Sequence, residues 1–197
     1  MNREESMAIV AKLRGDAAMV LGPGANCGLL YVQADTPATI YNMEMAYATP
    51  VALGIALACP SRKVLAVEGE GSFFAGSAIL STIWRLKPAN LTVLVTDNGV
   101  WGTGDGREPS ATAFGTDLAA LALANGWDAE RVHAVDAPDV LETGLAAAMA
   151  GGGPHFFACM TDPALDRYLV SSAHRPRPMR HLLDCAVLMR RDLTPHG

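Results

Sequence analysis

Apolar and polar positions fall into blocks of two lengths along this chain. Short, almost continuous apolar runs occur at Ala18–Leu21, Val64–Val67, Leu91–Thr96 and Phe156–Thr161, and Arg131–Ala134 reads as a further short strand. Runs of this kind, without polar alternation, read as strands covered on both faces. Tyr41–Met43 reads as the end of a further strand. Between them lie longer stretches with apolar residues at helical spacing: Met1–Leu13, Ala48–Cys59, Phe114–Asn125 and Pro138–Ala150. Gly126 closes the third, and Gly151-Gly152-Gly153 closes the fourth. Strand and helix alternate without internal repeats. That predicts an α/β fold: a doubly wound, mostly parallel sheet with helices on both faces. Glu108–Ala113, with Pro109, reads as a polar loop. Residues 1–170 are expected to form one domain. Residues 171–197 are expected to be a linker, basic and proline-rich at Arg175–Pro178, and a tail whose helix His181–Arg191 lies on a partner.

Composition narrows the function classes. Half of the 197 residues are apolar and the formal net charge is −5. A mildly acidic chain without a basic run argues against nucleic acid. No apolar run is long enough for a transmembrane helix. The mixed-charge start MNREESMAIVAKLRG is unlike a signal peptide. Cys27, Cys59, Cys159 and Cys185 show no C-x-x-C spacing and are expected as reduced thiols in a cytoplasmic protein. His133, His155, His174, His181 and His196 show no partner pattern. Asp162 and Asp166, after the last strand, are expected to be solvated.

The chemistry concentrates in residues 64–104. Val64–Val67 leads into the turn Gly69-Glu70-Gly71-Ser72, a helical segment follows, and Leu91–Thr96 ends at Asp97-Asn98-Gly99. In open α/β sheets, ligands bind beyond the carboxyl ends of the parallel strands. Gly69 and Gly71 are expected to supply unusual backbone angles and to let amides approach an anion. The helix after Ser72 offers unpaired N–H groups and a partial positive charge, which suits a phosphate. A carboxylate in the same turn would repel that phosphate unless a cation sat between them. Glu70, the Asn98 side-chain oxygen and a nearby backbone carbonyl form an oxygen-only set of the kind hard Mg²⁺ prefers. The unit therefore predicts a diphosphate held through a divalent metal.

This arrangement resembles the diphosphate-binding motif of thiamine-diphosphate enzymes, G-D-G followed one helix and strand later by N-N. Gly69-Glu70-Gly71 and Asp97-Asn98 occupy those places. Asn42-Met43-Glu44-Met45-Ala46, followed by Leu53–Ala58, resembles the family segment before the motif. Phe114–Trp127 resembles the helix after it, and Gly153–Met160 the closing strand. The stretch DNGVWGTGDG is similar to D-N-G-x-x-x-S-T-G-G-Q of the small β subunits of sulfopyruvate and phosphonopyruvate decarboxylases. Two departures stand out. The family's metal-binding Asp is Glu70 here, so the loop retreats, the metal site weakens, or Ca²⁺ or Mn²⁺ is preferred. Asp105-Gly106 stands where that subfamily has Gly-Gln, so specificity near the substrate is expected to differ.

The resemblance implies roles. Gly71 and Ser72 would contact the diphosphate, with Gly69 in the same turn and Gly24 and Asn26 contacting diphosphate or substrate. The Met43 carbonyl would accept from the cofactor's 4′-amino group, Met45 would support the bent cofactor, and Trp101 would shape the wall. Glu70, Asn98 and Val100 would hold the metal. The family's catalytic Glu, which faces the pyrimidine N1′, belongs to a separate pyrimidine-binding domain. No segment here resembles that domain, so a partner subunit is expected to supply the Glu. The chain thus reads as the β subunit of a two-component, Mg-dependent thiamine-diphosphate decarboxylase (a lyase) acting on a small 2-oxoacid. Three alternatives stay open: a carboligase, the β subunit of a 2-oxoacid oxidoreductase, and a non-catalytic structural or regulatory subunit.

Overall fold

The central strands decide the architecture. In the computed structural model, which describes residues 1–102, 108–163 and 179–194, six parallel strands form one sheet in the order β2-β1-β3-β4-β8-β7. They are β1 (Ala18–Leu21), β2 (Thr39–Ile40), β3 (Val64–Gly69), β4 (Leu91–Asp97), β7 (Val132–Val135) and β8 (His155–Met160). Every residue of Ala18–Leu21 and Val64–Val67 is fully buried. Successive side chains of a strand point to opposite faces, so both faces of the sheet are covered. This is why the runs are continuously apolar. A short antiparallel ribbon, β5 (Val100–Trp101) and β6 (Glu108–Pro109), stands apart.

The helices are α1 (Arg3–Leu13), α2 (Ala25–Ala34), α3 (Ala48–Ala58), α4 (Glu70–Phe74), α5 (Ile79–Leu86), α6 (Leu118–Ala124), α7 (Pro138–Ala150) and α8 (Leu182–Leu193). α3 packs on β1 and β3 through buried Ala48, Ala52 and Ala56, small residues that allow close approach. Phe73, Phe156 and Trp127 form an aromatic cluster, and the Trp127 indole N–H donates to the Leu80 carbonyl at 3.0 Å. An asparagine and a glutamate start α1 with reciprocal side-chain bonds: Asn2 accepts from the Glu5 N–H, and Glu5 from the Asn2 N–H, both at 2.8 Å.

Several expectations are corrected. Helix α2 is not among the elements that the apolar pattern predicts; it starts directly at Ala25, after Gly24 turns the chain at φ +111°. The edge strand is Thr39–Ile40 rather than Tyr41–Met43, although the Met43 N–H still bonds the Leu21 carbonyl at 2.9 Å. The helix expected after Ser72 is two helices: α4 begins already at Glu70 and contains Ser72, and the break before α5 falls at Gly76. There a Cβ would lie 2.7 Å from the Ala46 carbonyl oxygen, so the chain needs glycine and bends. The helix expected at Phe114–Asn125 is shortened to α6, whose start is capped by Asp117, while Phe114 ends a 3₁₀ turn, Ala111–Phe114. The polar loop at Glu108–Ala113 contains β6 and part of that turn.

The tail shows how it attaches. α8 packs against β2 of this same chain. Arg180 pairs with Asp35 and lies 5.8 Å and 5.7 Å from the ring centres of Tyr31 and Tyr41. Asp105, Gly106, Asp166, His174, the Arg175–Pro178 linker and His196 lie outside the described residues. No described helix is long and apolar enough to cross a membrane. The four cysteines form no disulfide.

His133 and His155, which had no pattern in sequence, meet across β7 and β8 with ring nitrogens 3.1 Å apart, and His133 stacks on Phe157 at 4.3 Å. Burial, then His155 and Arg131, hold the His133 imidazole down at about 4. The folded state thus rejects a proton that the unfolded chain accepts near its ordinary value. Stability is fully present above about pH 6.5 and is lost as pH falls towards 4. For this half-buried ring we expect a loss of about 1–2 kcal/mol after allowance for solvent screening. Urea unfolding at pH 7, 5 and 4 should show a shallower acid limb in His133→Gln than in the parent. Parallel limbs would remove His133 as the source.

Candidate active-site cleft

The strand order places the cleft. The connections after β1 and β3 leave the sheet in opposite directions, and a crevice opens between them, as at the switch point of other open α/β sheets. A cavity of about 540 Å³ fills this crevice. All eleven residues expected at the site line it: Gly24, Asn26, Met43, Met45, Gly69, Glu70, Gly71, Ser72, Asn98, Val100 and Trp101. They arrive on four segments: the β1–α2 junction, the irregular stretch after β2, the β3–α4 junction and the turn and short strand after β4.

Register brings two of these segments to one height. β3 and β4 pair in parallel with Gly69 opposite Thr96. The turn at Glu70 therefore faces the turn at Asp97-Asn98. Asp97 Oδ1 accepts from the Gly99 N–H at 2.9 Å and from the Thr112 hydroxyl at 2.7 Å. Asn98 Oδ1 accepts the Val100 N–H at 3.1 Å, which leaves that oxygen one further acceptor site. Gly99 makes the turn possible at φ +68°.

Glu70 is 3% exposed, and its Oε1 is buried without a hydrogen-bond partner. Burial first, then neighbouring Asp97, push its carboxyl above the usual carboxylate range, while Ser110 and Arg3 act in the opposite sense. A buried carboxylate oxygen that accepts no hydrogen bond, on a carboxyl near a second acid, is an arrangement that a cation would satisfy. The nearby donors are all oxygens, which suits magnesium. Among the described residues no group of three or more His, Cys, Asp or Glu is placed to hold a metal ion. A site here would draw on one carboxylate, one amide oxygen and backbone.

The glycines of the turn act differently from expectation. Gly69 has an ordinary φ of −79° and Gly71 is not in the left-handed region either, so neither supplies an unusual backbone angle. Gly69 faces open space. Gly71 is required by contact: a Cβ there would lie 2.6 Å from the Trp101 ring. Trp101 thus rests flush on the turn. Ser72 turns its hydroxyl inwards, where it accepts from the Ala46 N–H at 3.4 Å, so only its backbone N–H is available to the cleft. Asn26, 4% exposed, donates from Nδ2 to Thr96 Oγ1 at 2.9 Å and leaves Oδ1 without a partner.

Sequence reasoning missed Arg3, Pro23, Ala25, Asn42, Glu44, Thr96 and Gly102, which also line the cleft. Arg3 is the cation among the lining residues, delivered by the first turn of α1. No local signal could have found it, because α1 reaches the cleft only through its packing on α2 and α7. Asn42 sits in the segment already singled out, and its φ of +52° marks the bend that presents Met43 and Met45.

Residues 28–159 match the family described as thiamine pyrophosphate enzyme, C-terminal TPP binding domain. The chain belongs to this family. It is 38% identical over 147 residues to phosphonopyruvate decarboxylase of Streptomyces viridochromogenes, covering 74% of this chain and 36% of that protein. It is 32% identical over 100 residues to sulfopyruvate decarboxylase subunit beta of Methanocaldococcus jannaschii, covering 50% and 52% respectively. The chain therefore spans about a third of the first relative and about half of the second. The crystal structure of benzoylformate decarboxylase from Polynucleobacter necessarius has the same fold, with a TM-score of 0.67 at 17% identity over 84% of this chain and 34% of that one. Within this family domain, the cleft lies where Gly69–Ser72 and Asn98 converge.

The Gly71–Trp101 contact is directly testable. Gly71→Ala should push the indole off the turn and cost about 1–3 kcal/mol in stability. Trp101 fluorescence should shift, and the difference spectrum should vanish in the Trp101→Phe background. An unchanged spectrum at full stability would contradict the contact.

Proposed function

We propose that this chain is the diphosphate-binding β subunit of a two-component decarboxylase that acts on a small, anionic 2-oxoacid of the sulfopyruvate or phosphonopyruvate kind. The observation that supports this most is the buried, partnerless oxygen of Glu70 at the level of Asn98, in a domain of the thiamine pyrophosphate family. Glu70, the Asn98 side-chain oxygen and the Val100 carbonyl would hold Mg²⁺. Gly69 leaves room for the diphosphate, and the backbone of Gly71 and Ser72 binds it. Gly24 and Asn26 close the β1 side, with Asn26 Oδ1 ready to accept from a ligand N–H or O–H. Met45 props the rings, the Met43 carbonyl accepts from the 4′-amino group, and Trp101 walls off water. Arg3 adds a counter-charge for the diphosphate or an anionic substrate.

When bound, thiamine diphosphate supplies the electron sink for loss of CO₂. The carboxylates among the described lining residues are Glu44 and Glu70. Glu70 is committed to the metal and Glu44 flanks Met45, so the Glu that faces N1′ comes from a pyrimidine-binding partner subunit. Enclosure at that interface excludes water from the reacting centre.

Calorimetry with thiamine diphosphate should show binding only with a divalent ion. Asn98→Ala should abolish it, and Glu70→Ala should weaken it at least tenfold, about 1.4 kcal/mol. Glu70→Asp should still bind, with a shift towards Mg²⁺ over larger ions. Arg3→Gln should weaken binding less than either metal-ligand substitution. Metal-independent binding, or full affinity in Asn98→Ala, would contradict the site.

The division of labour is tested by CO₂ release from a panel of 2-oxoacids. The purified chain, saturated with cofactor and Mg²⁺, should show no turnover. Addition of a pyrimidine-domain partner should restore it, and the partner with its Glu changed to Gln should not. Turnover by the chain alone would refute the two-subunit reading.

A further inference from the structure

Glu68 lies outside every role assigned so far, yet it is 1% exposed and sits two residues before Glu70. Its Oε1 accepts from the Thr49 N–H at 3.0 Å. The Ala48 N–H and the Ser72 hydroxyl also lie close enough to favour its charged form, against burial that pushes its carboxyl up to about 6. Thr49 and Ala48 begin α3. The first N–H groups of a helix lack partners within it. In α3 the residue before the helix, Tyr47, provides no side-chain cap. Pro50 has no N–H, and the Val51 N–H already bonds the Tyr47 carbonyl at 3.0 Å. The two amides left over are those of Ala48 and Thr49, which face Glu68. A carboxylate suits that position by charge as well as by hydrogen bonding. The cap of α3 thus comes from another strand, where a Ser or Asp at position 47 could have served locally.

The remote cap has a mechanical consequence. Ser72, beside Glu68, accepts from the Ala46 N–H. A Cβ on Gly22 would lie 3.1 Å from Glu68 Cγ and 3.2 Å from Ser72 Oγ, so bare backbone there makes room for the pair. The segment between these anchors carries Met43 and Met45 and has two non-glycine residues in the left-handed region, Asn42 at φ +52° and Ala46 at φ +73°. Such residues persist only where the surroundings hold them. We propose that Glu68 is a positioning residue: its carboxylate ties the start of α3, and through Ser72 the Ala46 amide, to the diphosphate turn. It thereby fixes the height of Met45 above that turn. This inference rests on the cofactor reading given above. Anchoring of the diphosphate and support of the rings become parts of one rigid unit.

The test compares two probes on the full chain, Mg²⁺ with thiamine diphosphate and Mg²⁺ with inorganic pyrophosphate, by calorimetry. Pyrophosphate needs the turn alone; thiamine diphosphate needs the turn and Met45 in register. Glu68→Ala should lose at least tenfold in affinity for thiamine diphosphate and change less than threefold for pyrophosphate. Glu68→Gln should recover most of the loss, because its amide oxygen still accepts from Thr49. In the ligand-free chain, the Ala46, Ala48 and Thr49 amides should exchange faster in Glu68→Ala, with α7 unchanged. If Glu68→Ala does not fold, Glu68→Asp keeps the charge but draws the carboxylate one methylene back from the Thr49 N–H, and should lose more affinity for thiamine diphosphate than for pyrophosphate. Equal losses for both probes, no loss for either, or unchanged exchange at the three amides would overturn the positioning role while leaving the cofactor reading in place. A parent chain that binds neither probe would overturn the cofactor reading and this role with it.

Discussion

The parallel register between β3 and β4 is the constraint on which the cleft depends. Gly69 stands opposite Thr96, so the two turns that follow emerge at one level. A slip of one residue would move Glu70 relative to Asn98 by about 3.3 Å. It would also carry every side chain of the strand to the other face. Both faces are packed, with Leu65, Val67, Val93 and Val95 fully buried, so the slip is opposed along the whole strand. Geometry at the site is held by apolar packing a full strand length away.

The same level places two acids near each other. Asp97 is bound by Gly99 and Thr112, and Glu70 is left with a partnerless oxygen. The local fold alone does not resolve this charge problem. Arg3 eases it from α1, and Ser110 from the ribbon side. The cleft is therefore electrostatically incomplete as it stands. Incompleteness of this kind is a sign of a ligand-binding site, since a structural carboxylate would have been supplied with donors.

What could be read in the sequence was what is local. The buried strands were legible because both faces are covered, which removes polar alternation from β3 and β4. The glycine turn and Asp97-Asn98 were legible because each lies directly after such a run. Helix α2 was hidden by its own preface, Gly22-Pro23-Gly24, which signals a loop, and by the absence of a capping side chain at its start. The break between α4 and α5 was hidden because its cause, the Ala46 carbonyl against Gly76, is some thirty residues earlier in the chain. Arg3 and Glu68 were missed for the same reason. Their partners are set by packing between elements, and nothing in their neighbours along the chain announces them. The roles of Gly69 and Gly71 were misread because glycine in sequence suggests freedom of backbone. Here it marks space, empty at one position and filled by an indole at the other.

The indole seated on Gly71 also bears on how this domain can change over time. A Cβ at position 71 would overlap the ring at 101, and a Cβ at position 22 would press on the side chain at 68. In each pair the effect of one substitution depends on the residue at the other, so single changes should be poorly tolerated where paired changes are accepted. Descendants of this sequence would then reach a different cleft by few mutational routes, each passing through the smaller residue first. The contacts that shape the pocket restrict its drift, and its margin would vary more readily at positions such as Glu108 and Pro109 of β6, which are exposed.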